Sequence, residues 1–184
     1  MLSIVKKLRS LHAIIVIATA VSLLSSHAQA TEVADENAVK AAFLLNFSRY
    51  AEWPSENPRR GLSNFTICIW NDNDFTKAAK ALEGKQLRGL AVSVKEVHAT
   101  DQLYQCDTLF VSHNFKAEIP LIRNMLSQYK VLLVTDVSGA GALNFIVEQG
   151  KVRFDCNLDH AVSSGVRLSS QLIKLAINII GEQQ

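Results

Sequence analysis

Leu143-Asn144-Phe145-Ile146-Val147-Glu148-Gln149-Gly150-Lys151-Val152-Arg153-Phe154-Asp155-Cys156-Asn157 is the stretch with the firmest local reading. Gln149-Gly150 supplies a two-residue turn, and the residues on either side alternate with period two, so the segment reads as a β-hairpin. Pairing about that turn sets Val147 opposite Val152, Phe145 opposite Phe154 and Leu143 opposite Cys156, which makes one face wholly apolar. The other face pairs Glu148 with Lys151, Ile146 with Arg153 and Asn144 with Asp155, a mostly polar set that faces solvent or a ligand.

Upstream of the hairpin the periodicity changes from segment to segment. Phe65-Thr66-Ile67-Cys68-Ile69-Trp70 is rich in β-branched and aromatic residues and reads as a strand, as do Ala91 to Val97, Thr108 to Ser112 and Val131 to Asp136. A short helix over Phe75 to Leu82 starts at the polar run Asn71-Asp72-Asn73-Asp74 and stops at Gly84; a second runs from about Ile119 to Gln128. Strands alternating with helices predict an α/β fold. The expectation is a single-domain layered sandwich with a mostly parallel central sheet, the hairpin near the C-terminus and helices on both faces. Earlier still, Asp35 is placed to cap a helix from about Glu36 to Glu52, with Val39, Phe43, Phe47 and Tyr50 on one face and Pro54 ending it. Leu44 and Leu45 widen its apolar surface, which suits burial on two sides or contact with a partner. At the other end, Ser169 or Ser170 caps an expected buried helix through Ile180, with Gly181 as its stop.

The chain has 184 residues, 48% hydrophobic and 20% charged, with a formal net charge of +2. That composition disfavours disorder, and the lack of Lys/Arg runs disfavours a nucleic-acid partner. Part of the positive excess sits in residues 1–30. Lys6, Lys7 and Arg9 precede an apolar stretch from about Leu11 to Leu24 and the small-residue end Ala28-Gln29-Ala30, the pattern of a cleaved signal peptide. An uncleaved anchor is the alternative, but the apolar stretch is short of the roughly 20 residues a spanning helix needs. Cleavage after Ala30 leaves residues 31–184 as one domain with a single net negative charge, in an oxidising compartment.

The chemistry that the residues leave out is as informative. His98, His113 and His160 remain after cleavage without H-E-x-x-H spacing or C-x-x-C pairs, so no metal and no cofactor is expected. Asn71 to Asp74 lacks the alternating ligands of a calcium loop and reads as a helix start. Gly139-Ala140-Gly141 lacks the third glycine of a dinucleotide loop and precedes a strand. No G-x-S-x-G elbow exists, and no catalytic residue is assigned. The three cysteines are read as a disulfide between Cys68 and Cys106, which precede or lie in neighbouring strands, with Cys156 free on the apolar hairpin face. Three free thiols, or a pair including Cys156, are the alternatives.

Taken together, Lys40-Ala41-Ala42-Phe43-Leu44-Leu45-Asn46-Phe47, Glu52-Trp53-Pro54, Phe65 to Trp70, the hairpin through Asn157-Leu158 and Gly165-Val166-Arg167-Leu168-Ser169-Ser170 resemble the YfiR family of periplasmic proteins. The resemblance spans about Ala38 to Ile180. It implies a non-enzymatic repressor that binds the periplasmic sensor domain of an inner-membrane diguanylate cyclase, YfiN in that family, and lowers cyclic-di-GMP synthesis. It also implies an outer-membrane lipoprotein of YfiB type that relieves repression, a homodimer, and a disulfide at positions matching Cys68 and Cys106. A second disulfide of some members has no fourth cysteine here. Asn144, Glu148, Arg153, Asn157 and Arg167 match the family motif and are the expected ligand-binding set, against cross-strand and capping roles. Leu44, Leu45 and Trp53 are the expected partner-binding surface, against core packing. The competing functional reading is a periplasmic small-ligand module serving a histidine kinase or other receptor, with Asn71, Asp72, Ser112, His113 and Asp136 at the strands' carboxyl ends.

Overall fold

The computed structural model describes residues 36–54 and 63–182; the expected signal peptide, Asp35 and most of the loop after Ser55 lie outside them. Helix α1 occupies residues 36–50. It is followed by strand β1 (Ala51–Glu52), strand β2 (Asn64–Trp70), helix α2 (Asn73–Ala79) and strands β3 (Gln86–Leu87) and β4 (Leu90–Val97). Next come strand β5 (Thr108–Val111), helix α3 (Ile119–Tyr129), strand β6 (Leu132–Thr135) and the hairpin strands β7 (Leu143–Glu148) and β8 (Lys151–Asn157). Helix α4 (Leu158–Ser163), strand β9 (Arg167–Leu168), helix α5 (Ser170–Ile173) and strand β10 (Ile179–Ile180) complete the described chain. Short 3-10 turns stand at Lys80–Leu82, Thr100–Gln105 and His113–Phe115.

Eight strands form one sheet in the order β10-β8-β7-β6-β5-β2-β4-β3, parallel throughout its middle, while β1 and β9 pair as a separate two-stranded sheet. The central strands are buried on both faces, and alternation assigns their residues to two cores. Phe65, Ile67, Ile69, Phe110, Leu132 and Val134 join α1, α2, α4 and α5 on one side; Cys68, Trp70, Leu109, Val111 and Leu133 join α3 on the other. Helices therefore cover both faces, as the alternation of elements predicts.

The hairpin register agrees with the sequence reading at every pair from Leu143↔Cys156 to Glu148↔Lys151. Both turn residues take positive φ, Gln149 at 52° and Gly150 at 71°, the twist that lets a two-residue turn join right-handed strands. Phe145 and Phe154 then meet Phe47 of α1 at ring-centroid distances of 5.4 and 4.9 Å, so one aromatic cluster fastens the first helix to the hairpin.

Three expectations are corrected. Helix α1 ends two residues early, because Ala51 and Glu52 pair with Leu168 and Arg167, and the residue before Pro54 is disfavoured in helical conformation. Its buried stripe runs through Lys40, Ala41, Leu44, Phe47 and Ser48, while Val39 and Tyr50, expected inside, are 38% and 37% exposed. The long final helix does not form. After α5 the chain turns and runs beside β8: Ile177 N–H donates to Phe154 O at 2.9 Å and Cys156 N–H to Asn178 O at 2.9 Å. An apolar run rich in isoleucine suits strand as well as helix, and the unpaired sheet edge supplies the backbone partners that select strand.

Candidate functional site

The residues after β6 must turn back into β7, and the polar side of the hairpin base holds that turn. Asn144 is fully buried. Its Oδ1 accepts from Gly141 N–H at 2.6 Å and Thr135 Oγ1 at 3.1 Å, and its Nδ2 donates to Gly141 O at 3.1 Å and to Asp155 Oδ1. Asp155 accepts a second bond from Ser138 Oγ at 3.0 Å. Asn157 donates to Gly139 O at 3.2 Å and caps α4 by accepting from His160 N–H at 3.1 Å. Gly141 is required by close approach, since a Cβ there would stand 2.9 Å from Thr135 Cγ2 and 3.0 Å from Leu133 O. Asn144 uses both amide donors and both acceptor sites within the chain, leaving none for a ligand.

The expected ligand set is not gathered into one place. Asn144 and Asn157 are interior at the hairpin base; Glu148 is exposed at its tip, four residues along β7 and so about 13 Å away. Arg153 is exposed opposite Ile146, and Arg167 is exposed in β9 opposite Glu52. The helix residues Leu44 and Leu45 are 0% and 9% exposed and pack in the core, so they present no partner surface; this corrects that expectation. Trp53 is half-buried, edge-on to Phe65 at 5.3 Å with the Arg88 guanidinium 5.5 Å from its ring, and Arg88 also donates to Ala51 O. Its buried Nε1 has no partner among the described atoms.

A different group does converge, at the carboxyl ends of the parallel strands. The chain passes from β2 to β4 on one side and then to β5 on the other, so β2 and β5 flank the topological switch point where open α/β sheets bind ligands. Asp136, just after β6, lies 3.3 Å from Lys40 Nζ and 3.3 Å from the His113 ring, and it accepts from the His113 backbone N–H. The Lys40 and Asp136 side chains are only 7% and 12% exposed. Ser112, between β5 and His113, is 4% exposed, and its hydroxyl has no partner among the described residues. Asn71 instead meets His98 Nδ1 at 2.7 Å, and Asp72 caps α2 by accepting from Phe75 N–H at 2.9 Å. Sequence reading named Ser112, His113 and Asp136 here but missed Lys40. The signal was a lysine at helical spacing from Leu44 and Phe47 on an otherwise apolar stripe, a position that calls for an interior acid.

Cys68 and Cys106 form the disulfide, closing a separation of 38 residues, and Cys156 is free and buried. Burial, reinforced by the Asp155 carboxylate, pushes the Cys156 thiol up to about 12, so it stays protonated and inert. His160 is held below its ordinary pKa by burial and by the Arg123 guanidinium, whose Nη1 donates to His160 Nε2 at 3.0 Å. Among the described residues no three His, Cys, Asp or Glu side chains cluster as metal ligands, and no helix is long and apolar enough to cross a membrane.

Two solved structures are similar to parts of the chain. The ABC domain in complex with L-Trp from Streptococcus pneumonia is 12% identical with a TM-score of 0.44, over 63% of this chain and 55% of that one. A conserved domain protein from Vibrio cholerae is 8% identical with a TM-score of 0.43, over 67% of this chain and 57% of that one. The chain thus spans little more than half the length of either, and likeness at this level carries no argument about the site. No curated protein matches the chain. The sequence profile of the YfiR/HmsC-like family, in contrast, matches residues 37–177, a span that takes in α1, the central sheet, the disulfide and the hairpin with its polar base. The chain belongs to the YfiR/HmsC-like family.

Proposed function

We propose that the protein is a non-enzymatic periplasmic regulator that binds the sensor domain of an inner-membrane diguanylate cyclase and lowers cyclic-di-GMP synthesis. The observation that carries this reading is the family match over residues 37–177. Residues 1–30 act as the cleaved export signal in this reading. An outer-membrane lipoprotein of YfiB type relieves the repression, and the working form is a homodimer. Repression works by population shift: the regulator binds the inactive cyclase conformation more tightly, and each tenfold shift needs about 1.4 kcal/mol of differential affinity. Deleting the gene raises cyclic-di-GMP, and the tagged protein recovers a membrane cyclase from solubilised membranes. Unchanged cyclic-di-GMP together with no cyclase among the recovered proteins rejects the reading.

A second reading, a small-ligand sensory module acting on a histidine kinase or other receptor, is favoured by one observation. Ser112 Oγ, buried and without a partner among the described residues, lies next in sequence to the His113 that binds Asp136, at the carboxyl edge of the sheet. A gene for a membrane kinase beside this one, and none for a cyclase, selects this reading.

A further inference from the structure

Strand β8 has two unequal edges. On its inner edge β7 pairs with it from Lys151 to Cys156; on its outer edge β10 pairs only at Cys156 and Asn157. One more contact, from Ile177 N–H to Phe154 O, precedes that pairing, and from Lys151 to Arg153 the outer edge has no strand beside it among the described residues. Main-chain groups of a strand alternate between its edges. Phe154 O and Cys156 N–H face outward, so the N–H and C=O of Val152 face outward too, beyond the end of β10.

A cavity of about 300 Å³ lies on this open stretch, lined by Phe43, Val152, Arg153, Phe154, Leu175 and Ile177. Successive strand residues point to opposite faces. A cavity that touches three in a row therefore sits at the strand's edge, where an occupant meets backbone groups as well as apolar side chains. Leu175 is 69% exposed, and Ile179 and Ile180 continue the apolar edge at 52% and 44%. The flanking charge is positive. Lys151, Arg153 and Lys174 are exposed without an ion-pair partner among the described residues; of the hairpin's acids, Asp155 is buried and bonded to Asn144 and Ser138, and Glu148 is exposed opposite Lys151.

We propose that the open half-edge of β8 accepts an extended segment of a partner protein whose residues alternate apolar and acidic. Its backbone pairs with Val152; its apolar side chain fills the cavity beside Phe43 and Leu175; its next residue, on the opposite face, sets a carboxylate against Arg153. A second copy does not fit this edge, because two-fold antiparallel pairing about Val152 sets Lys151 of one copy against Arg153 of the other, positive charge against positive charge. The inference does not depend on the partner being a cyclase, so its failure leaves the regulatory reading intact, and the reverse.

The test uses the full exported chain in oxidised form and a fluorescein-labelled, end-blocked heptapeptide alternating Glu with Val and Leu. Anisotropy titration is expected to show saturable binding with Kd no weaker than about 100 µM. Arg153→Glu, at an exposed position, is expected to weaken that binding at least about tenfold and to gain the same factor for the peptide with Lys in place of Glu. Proline at the central position, which removes an N–H from the added strand, is expected to abolish binding. Circular dichroism confirms that the variant is folded. Absence of saturable binding, equal affinity for wild type and Arg153→Glu, or equal affinity for the proline peptide each overturns the proposal.

Discussion

The centre of the sheet and its C-terminal half are held by different means. In the centre, β2 and β5 are apolar on both faces and are cross-linked by Cys68 and Cys106. In the C-terminal half, β7 and β8 rest one face on the aromatic cluster of α1, while the other is filled at its base by Asn144 and Asp155. Its cysteine, Cys156, is unbridged, and the outer edge is half open. A polar network trades the adaptability of an apolar core for a single permitted geometry, here that of the turn after β6. The lesson is that the centre supplies stability, whereas the hairpin half supplies shape and an edge to which something can bind.

The comparison is tested first where the effect is largest. Replacing Cys68 and Cys106 by alanine is expected to cost about 4 kcal/mol in the chain-entropy account, measured by urea unfolding; a loss below about 1 kcal/mol would show that the centre does not rely on its bridge. Asn144→Ala removes a donor from buried Asp155 and the acceptor of Gly141 N–H, and is expected to cost about 3 kcal/mol by the same measurement. If it costs as little as a surface change, the hairpin half is held by its aromatic face alone. Gly150→Ala, at φ 71°, is expected to cost about 1 kcal/mol.

Two further outcomes concern protonation. Native protein at pH 8 is expected to leave Cys156 unlabelled by iodoacetamide, with labelling appearing only on unfolding; prompt native labelling would place the thiol outside the core. The smallest effect is at His160. Its pKa is lowered on folding, so the unfolded chain binds more protons in the window below 6.5. Its contribution to stability is present above pH 6.5 and is lost as pH falls through the depressed folded value, and His160→Asn is expected to flatten that dependence in thermal melts between pH 7 and pH 5.

How much was legible follows from how far apart the deciding residues are. The hairpin was readable to the register of each pair because alternation and a two-residue turn are local. The central strands were readable because β-branched runs bounded by turn residues leave little choice. The disulfide followed once two cysteines were assigned to neighbouring strands in an oxidising setting. The expected ligand set illustrates the opposite case: a motif groups Asn144, Glu148, Arg153, Asn157 and Arg167 in sequence, but the hairpin spreads its four members along one face from a buried base to an exposed tip, and Arg167 sits in the separate pairing of β9 with β1. Lys40 and Asp136, 96 residues apart, meet only because α1 crosses the sheet near the end of β6.

By itself, then, the sequence determined the α/β class, the central strands and the hairpin pairing, all consequences of short-range periodicity, and it favoured Cys106 as the partner of Cys68 over the alternatives that the structure removes. Tertiary structure decided which face of α1 is buried, that the last apolar run becomes an edge strand, and which polar groups share an interior. The physical reason is that an apolar stripe or a run of isoleucines satisfies more than one arrangement equally well on its own. Only the surface it packs against, or the unpaired backbone it meets, makes one of them lower in free energy.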